Sequence, residues 1–215
     1  MKMTDCHTHR LPVTDPSSSL YCTTDPVMPP EGIFFSAGVH PMFAVSSEIP
    51  PAFFDLFRSE RCLAIGECGL DRRAPLPLDK QQELFLHHAD VAEELGKPLV
   101  IHSVRTRQEM IRLRKKRQPS VPWIVHGCRG TAQRVREWAD AGFILSFGEG
   151  ILRDGALLAD LFPALPPEII LMETDESTVS PDVLYSVAAS CRQMNREDLT
   201  AMVEQNYRRI FFHGS

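Results

Sequence analysis

The sequence predicts an α/β fold, a TIM-type (β/α)8 barrel with one or two of the first helices missing, and three observations carry that expectation. Seven short apolar runs along the 215 residues, with an N-terminal strand ending near His7, make about eight candidate strands. Segments of helical period separate the later runs, the alternation that builds a parallel sheet. Histidines and carboxylates stand where the runs end, and the C-terminal ends of strands converge on one mouth only in a barrel.

Taken in order, the first strand ends near His7, and the following runs are Leu20 to Thr23, Ile33 to Gly38, Leu63 to Gly66, Pro98 to Ile101, Trp123 to His126, Phe143 to Phe147 and Ile169 to Met172. They are nearly continuous in apolar character rather than alternating, as expected of strands covered on both faces. Between His9 and Ile33 the helical signal is absent. That stretch carries Pro12, Pro16, Ser17, Ser18, Ser19, Pro26, Pro29 and Pro30 instead, a loop composition. After Pro77 the stripe Leu84, His88, Val91 and Leu95 has helical spacing. A further helix ends in the basic run Arg114 to Arg117, where cations complement the helix dipole. Another lies between the capping candidate Thr131 and the stop Gly142, with Val135, Trp138 and Ala139 on one side. Periodicity alone leaves a doubly wound sheet and a barrel both open. No repeat or low-complexity linker divides the chain, so residues 1–215 read as a single domain.

Composition narrows the function classes. With 43% hydrophobic and 24% charged residues the chain can bury one sizeable core. Its net charge of −5 excludes a broad basic surface for nucleic acid, so any such contact must be local. The opening Met1-Lys2-Met3-Thr4-Asp5 lacks the apolar run of a secretory signal, and no apolar stretch approaches the ~18 residues of a membrane span. The expectation is a soluble, cytoplasmic protein with no membrane contact and no indicated protein partner. Six cysteines without a C-x-x-C pair fit neither a disulfide scaffold nor a cysteine-type zinc site; they read as reduced, mostly buried thiols.

The chemistry starts at Asp5-Cys6-His7-Thr8-His9. Strand period places Asp5, His7 and His9 on one face, where two imidazoles can share a metal ion. An H-x-H pair is common by chance, so its weight comes from the rest of the chain. His102 and His126 close apolar runs, Glu67 follows Ala64-Ile65-Gly66, Asp175 comes just after Met172-Glu173, and His40 follows Phe35 to Val39. That many acidic and metal-competent side chains at one end of a sheet can meet only if the sheet closes, which favours the barrel. His87 and His88 within a helix and His213 at the tail receive no function.

The chain resembles the TatD family of metal-dependent deoxyribonucleases in Asp5-Cys6-His7-Thr8-His9, Gly38-Val39-His40-Pro41, Gly66-Glu67-Cys68-Gly69-Leu70-Asp71, Ile101-His102-Ser103, His126-Gly127 and Glu173-Thr174-Asp175. The closing Asn206-Tyr207-Arg208-Arg209-Ile210-Phe211 is similar to that family's final helix. The resemblance implies a (β/α)8 metallohydrolase with one or two divalent ions, magnesium, manganese or zinc, on His7, His9, Glu67, His102, His126 and Asp175. One ion would take His7, His9 and Asp175, the other His102 and His126, with Glu67 shared. Glu67 and Asp175 would be catalytic, Asp175 also accepting a proton from water. His40 would line the site, and Asp5 would orient a histidine through its other ring nitrogen.

The implied activity is hydrolysis of a phosphodiester, most simply as a deoxyribonuclease of 3′-5′ exonuclease type on single-stranded DNA. Arg72, Arg73, Arg105 and Arg129 closely follow site residues, so they can reach a phosphate; Arg72, Arg105, Arg129 and His40 are the substrate-binding candidates. The alternatives are a hydrolase of another substrate, such as a small phosphoester, ester or amide, and a non-catalytic metal-binding protein, whose hallmark would be a lost ligand. No ligand position is lost. The chain departs from the family pattern in its short segment between His9 and Gly38, in Val104-Arg105-Thr106 after Ile-His-Ser, and in lacking an Asn-x-Pro element after Asp175. Phe34, Phe35, Phe53, Phe54 and Trp138 read better as core, so the sequence names no aromatic for stacking on a base and does not support nucleobase recognition.

Overall fold

A computed structural model describes residues 2–13, 15–158 and 161–212; His213 lies outside them. The eight strands follow one another in a single sheet in chain order. They are β1 (Asp5–Thr8), β2 (Ser19–Thr23), β3 (Phe35–Ala37), β4 (Cys62–Asp71), β5 (Leu99–Val104), β6 (Trp123–Val125), β7 (Ile144–Phe147) and β8 (Ile170–Met172). The helices are α1 (Phe53–Arg58), α2 (Leu78–Leu95), α3 (Arg107–Arg117), α4 (Ala132–Asp140), α5 (Gly150–Leu158), α6 (Pro181–Arg192) and α7 (Arg196–Phe211). This is the TIM-type (β/α)8 fold. Among the described residues no helix stands between β1 and β2 or between β2 and β3, where proline and serine replace a helical pattern. No described helix is long and apolar enough to cross a membrane. All six cysteines are free thiols, five of them buried.

The chain groups into two compact units. In residues 21–125, β3 pairs with β4 and β4 with β5, both parallel. The register sets Gly69 beside His102 and Asp71 beside Val104. Gly69 has φ +152°, and a Cβ there would collide with the His102 carbonyl, so glycine is what lets the two ligand-bearing strands approach. β4 runs five residues further than the apolar run Leu63 to Gly66 suggests. Its second half, Glu67-Cys68-Gly69-Leu70-Asp71, has weak strand propensity and is held by pairing with Ile101 to Val104. α2 begins after Pro77 and ends at Gly96 in the left-handed region. It packs Phe85 edge-on to Trp123, ring centroids 5.1 Å apart, and both side chains are fully buried.

In the unit formed by residues 1–20 and 126–215, β7 pairs with β8 in parallel, Leu145 opposite Ile170 and Phe147 opposite Met172. Helices α4, α6 and α7 each start on a side-chain cap: Thr131 accepts from the Arg134 N–H, Ser180 from Val183 and Asn195 from Asp198. Asn206 on α7 donates to the carbonyls of Pro167 and Ile170 at 2.7 and 2.9 Å, tying the last helix to the start of β8. The buried Tyr185 hydroxyl donates to the Thr4 carbonyl at 2.7 Å, just before β1.

Candidate metal centre

The first cluster grows from β1 and the segment after β8. All four residues of β1 are buried, His7 completely, while His9, one residue beyond the strand, keeps partial exposure. Beyond β8, Asp175 takes φ +55°. It is fixed to β1 by two backbone bonds, its N–H to the His7 carbonyl at 2.8 Å and its own carbonyl accepting from the His9 N–H at 3.2 Å. The Nε2 atoms of His7 and His9 both lie 3.8 Å from Asp175 Oδ1. The His126 ring, one residue past β6, is 4.5 Å from that of His7. His7, His126 and Asp175 each offer a ligand atom within 4.8 Å of the others, and imidazole with carboxylate is a donor set that suits zinc, manganese or iron.

Asp5 braces this cluster. It accepts from the Thr174 N–H at 2.9 Å, the Thr174 hydroxyl at 2.6 Å and the His7 N–H at 3.3 Å. Burial pushes its carboxyl up to about 7, against those hydrogen bonds, which favour the charged form.

The second cluster belongs to residues 21–125. Glu67 on β4 is 2% exposed. Its Oε1 lies 2.6 Å from His102 Nδ1 and 3.3 Å from His40 Nε2. His40, Glu67 and His102 form another group with ligand atoms within 4.8 Å of one another. His126 thus groups with His7 and Asp175, and His40 joins Glu67 and His102. The second ring nitrogen of His102 meets Asp71 Oδ2 at 3.1 Å. Burial would raise the Asp71 carboxyl, but the Arg73 side chain and N–H, with His102, outweigh it and hold the group at about 2. Gln81 on α2 fixes the same residue by accepting from its N–H at 2.8 Å and donating to its carbonyl at 3.0 Å.

His40 is placed from behind by His88. The Val39 N–H donates to His88 Nε2 at 3.1 Å, so the ring proton sits on Nδ1 and is donated to the Leu84 carbonyl at 2.8 Å. Burial lowers this imidazole to about 4, against the bond to Leu84, so it is a neutral peg at ordinary pH.

The arginines differ in placement. Arg72 is committed to Glu109 at 2.6 Å and to the Arg105 carbonyl at 2.9 Å. Arg105 is exposed and sits at φ +59°. Arg129 lines a cavity of about 290 Å³ with Arg153, Glu173 and Asp175. The structure also supplies an exposed aromatic that the sequence reading passes over: Phe43 is 69% exposed, its ring 5.4 Å from that of His40.

The model of the TatD-related DNase family matches residues 27–212. The chain belongs to the TatD family. With it comes the class of metal-dependent hydrolases. The 3′-5′ ssDNA/RNA exonuclease TatD of Klebsiella pneumoniae is 30% identical over 204 residues, covering 84% of this chain and 77% of that protein. The uncharacterized metal-dependent hydrolase YcfH of Escherichia coli is 31% identical over 157 residues; the match covers 70% of this chain but 58% of YcfH. Among solved structures, the TatD homologue YJJV of Escherichia coli superposes with a TM-score of 0.78 at 18% identity, over 98% of this chain and 97% of that one.

Against the TatD-family pattern, the supporting residues are what sequence reasoning misses. Asp71 has a signal, because strand alternation from Glu67 through Gly69 puts it on the same face. His88 has one too, since a histidine inside the core-facing stripe of a helix must find partners.

Proposed function

We propose that this chain is a single TatD-like domain over residues 1–215 that hydrolyses phosphodiester bonds in single-stranded nucleic acid, most simply DNA from its 3′ end. The observation that carries the reading is the pairing of imidazoles with carboxylates at strand ends, His7, His126 and Asp175 in one cluster and His40, Glu67 and His102 in the other. These donor sets fit one or two divalent ions, with His9 beside Asp175 as a further ligand. A divalent ion held there supplies Lewis acidity, polarising a phosphoryl oxygen and acidifying water.

The chain's own residues do the rest. Asp175, backbone-locked and only partly buried, takes the proton from the attacking water. Glu67 keeps His40 and His102 turned toward one point. Arg129, on the cavity that also contains Asp175, grips a substrate phosphate, with Arg105 and His40 as further contacts and Arg72 as one that must first release Glu109. Free, buried thiols suit a reducing cytoplasm. The relative from Klebsiella named as an ssDNA/RNA exonuclease supports the substrate class.

The test is nucleotide release from an end-labelled single-stranded oligonucleotide after chelation and return of magnesium, manganese or zinc. Wild type should cleave only with metal, and Glu67→Gln and Asp175→Asn should lose about 100-fold or more in rate. Metal-loaded wild type that leaves the oligonucleotide intact while cleaving a small phosphoester or ester would overturn the nucleic-acid reading.

A further inference from the structure

Glu173 is a buried acid that neither the ligand set nor the proposed chemistry uses. It directly follows β8 and is 2% exposed. Its Oε1 accepts from the Gly127 N–H at 2.6 Å and lies 3.6 Å from Nδ1 of His126. Its Oε2 is buried with no hydrogen-bond partner among the described residues. Its charge is felt by the Cys6 and Cys128 thiols, both raised by burial first and by Glu173 next, and by Asp5, while Arg129 and Arg153 line the cavity that it shares with Asp175.

A carboxylate removed from water in such company is costly unless donors or a positive group compensate it. One backbone N–H is a small compensation. A second donor beside the carboxylate is the His126 ring, a few tenths of an ångström beyond hydrogen-bond length. We infer that Glu173 is a positioning residue that accepts a hydrogen bond from the Nδ1–H of His126, fixing the tautomer whose Nε2 lone pair is left for the cluster with His7 and Asp175. The inference rests on the reading of His126 as a ligand.

Packing points the same way. Gly148, one residue after β7, lies so close that a Cβ there would stand 3.1 Å from Glu173 Cγ and 3.3 Å from Oε1. Any side chain at this position would press on the carboxylate, so the backbone on that side is shaped around it. Gly127, whose N–H holds Oε1, adjoins His126 in sequence, which couples the acid to the histidine both through the ring and through the chain.

The experiment combines two readouts that do not use activity. Ring ¹⁵N shifts of His126 in metal-free protein report its tautomer, and chelator competition reports zinc affinity. Wild type should hold the Nδ1-protonated tautomer. Glu173→Gln, which keeps the volume and removes the charge, should lose that preference and weaken zinc binding about 10- to 100-fold. Gly148→Ala, which leaves Glu173 in place but crowds it, should move both readouts in the same direction and serves if Glu173→Gln does not fold. An Nδ1-unprotonated His126 in wild type, or zinc affinity within about twofold of wild type in both variants, overturns the inference. If zinc binds wild type and His126→Ala equally well, the ligand reading fails on its own, while the tautomer still decides the role of Glu173.

Discussion

At the scale of single residues, the site depends on side chains that touch no substrate. His88 is the clearest case, because its neutral ring is the acceptor for the Val39 N–H next to His40. Its folded value of about 4 lies below its ordinary 6.5. The unfolded chain therefore binds the proton first, so the contribution is complete above about pH 6.5 and is lost as pH falls toward 4. The shift corresponds to roughly 3 kcal/mol at its acid limit. Urea unfolding in chelator across that range should give a shallower acid loss for His88→Gln than for wild type; parallel curves would show that His88 does not titrate in this way. The ligands themselves are legible because His102 and His126 close apolar runs, Glu67 and Asp175 follow such runs closely, and His7 and His9 form an H-x-H pair. His88, Asp71 and Glu173 are less so, since their roles come from partners far away in sequence. A one-dimensional pattern can show that a polar residue occupies a core-facing position, but not which partner satisfies it.

At the scale of elements, strands covered on both faces leave continuous apolar runs, and β2, β3, β6, β7 and β8 overlap such runs closely. β4 and β5 both outgrow their runs, because their pairing with each other, not propensity, holds Cys68 to Asp71 extended beside Ile101 to Val104. Turns are read less well. His40-Pro41-Met42-Phe43 closes with the Phe43 N–H on the His40 carbonyl at 3.0 Å and the Met42 N–H on His40 Nδ1 at 3.1 Å. The turn thereby anchors the ligand-side imidazole and sets Phe43 outward at once. Under the nuclease reading that exposed ring offers a stacking face to a base. Phe43→Ala should weaken binding of a single-stranded oligonucleotide by about 1 to 3 kcal/mol, roughly 5- to 150-fold, and leave hydrolysis of a small alkyl phosphodiester unchanged. Equal affinity in a fluorescence-anisotropy titration would remove Phe43 from the substrate path.

At the scale of the whole molecule, charge and stability follow from the same clusters. A chain with net charge −5 attracts a polyanion only where divalent ions outweigh the local carboxylates, so metal loading should govern affinity for nucleic acid as well as rate. The clusters also bring imidazoles against carboxylates and bury Glu67 and Glu173, an arrangement whose desolvation cost a bound cation offsets. A metal that binds the folded chain and not the unfolded one stabilises it by about 2.7 kcal/mol at a hundredfold excess over its Kd. For a chain of this size that is a rise in Tm of about 5 to 10 °C per tightly bound ion. Calorimetry with zinc or manganese should show this rise in wild type, a reduced rise in Asp175→Asn and Glu67→Gln, and reversal on chelation. Because each variant removes a charge from one cluster only, the two should retain different parts of the stabilisation. A wild-type Tm that ignores every divalent ion would mean that the clusters hold their charges by hydrogen bonding alone, and the metal-dependent chemistry would then have no seat in them.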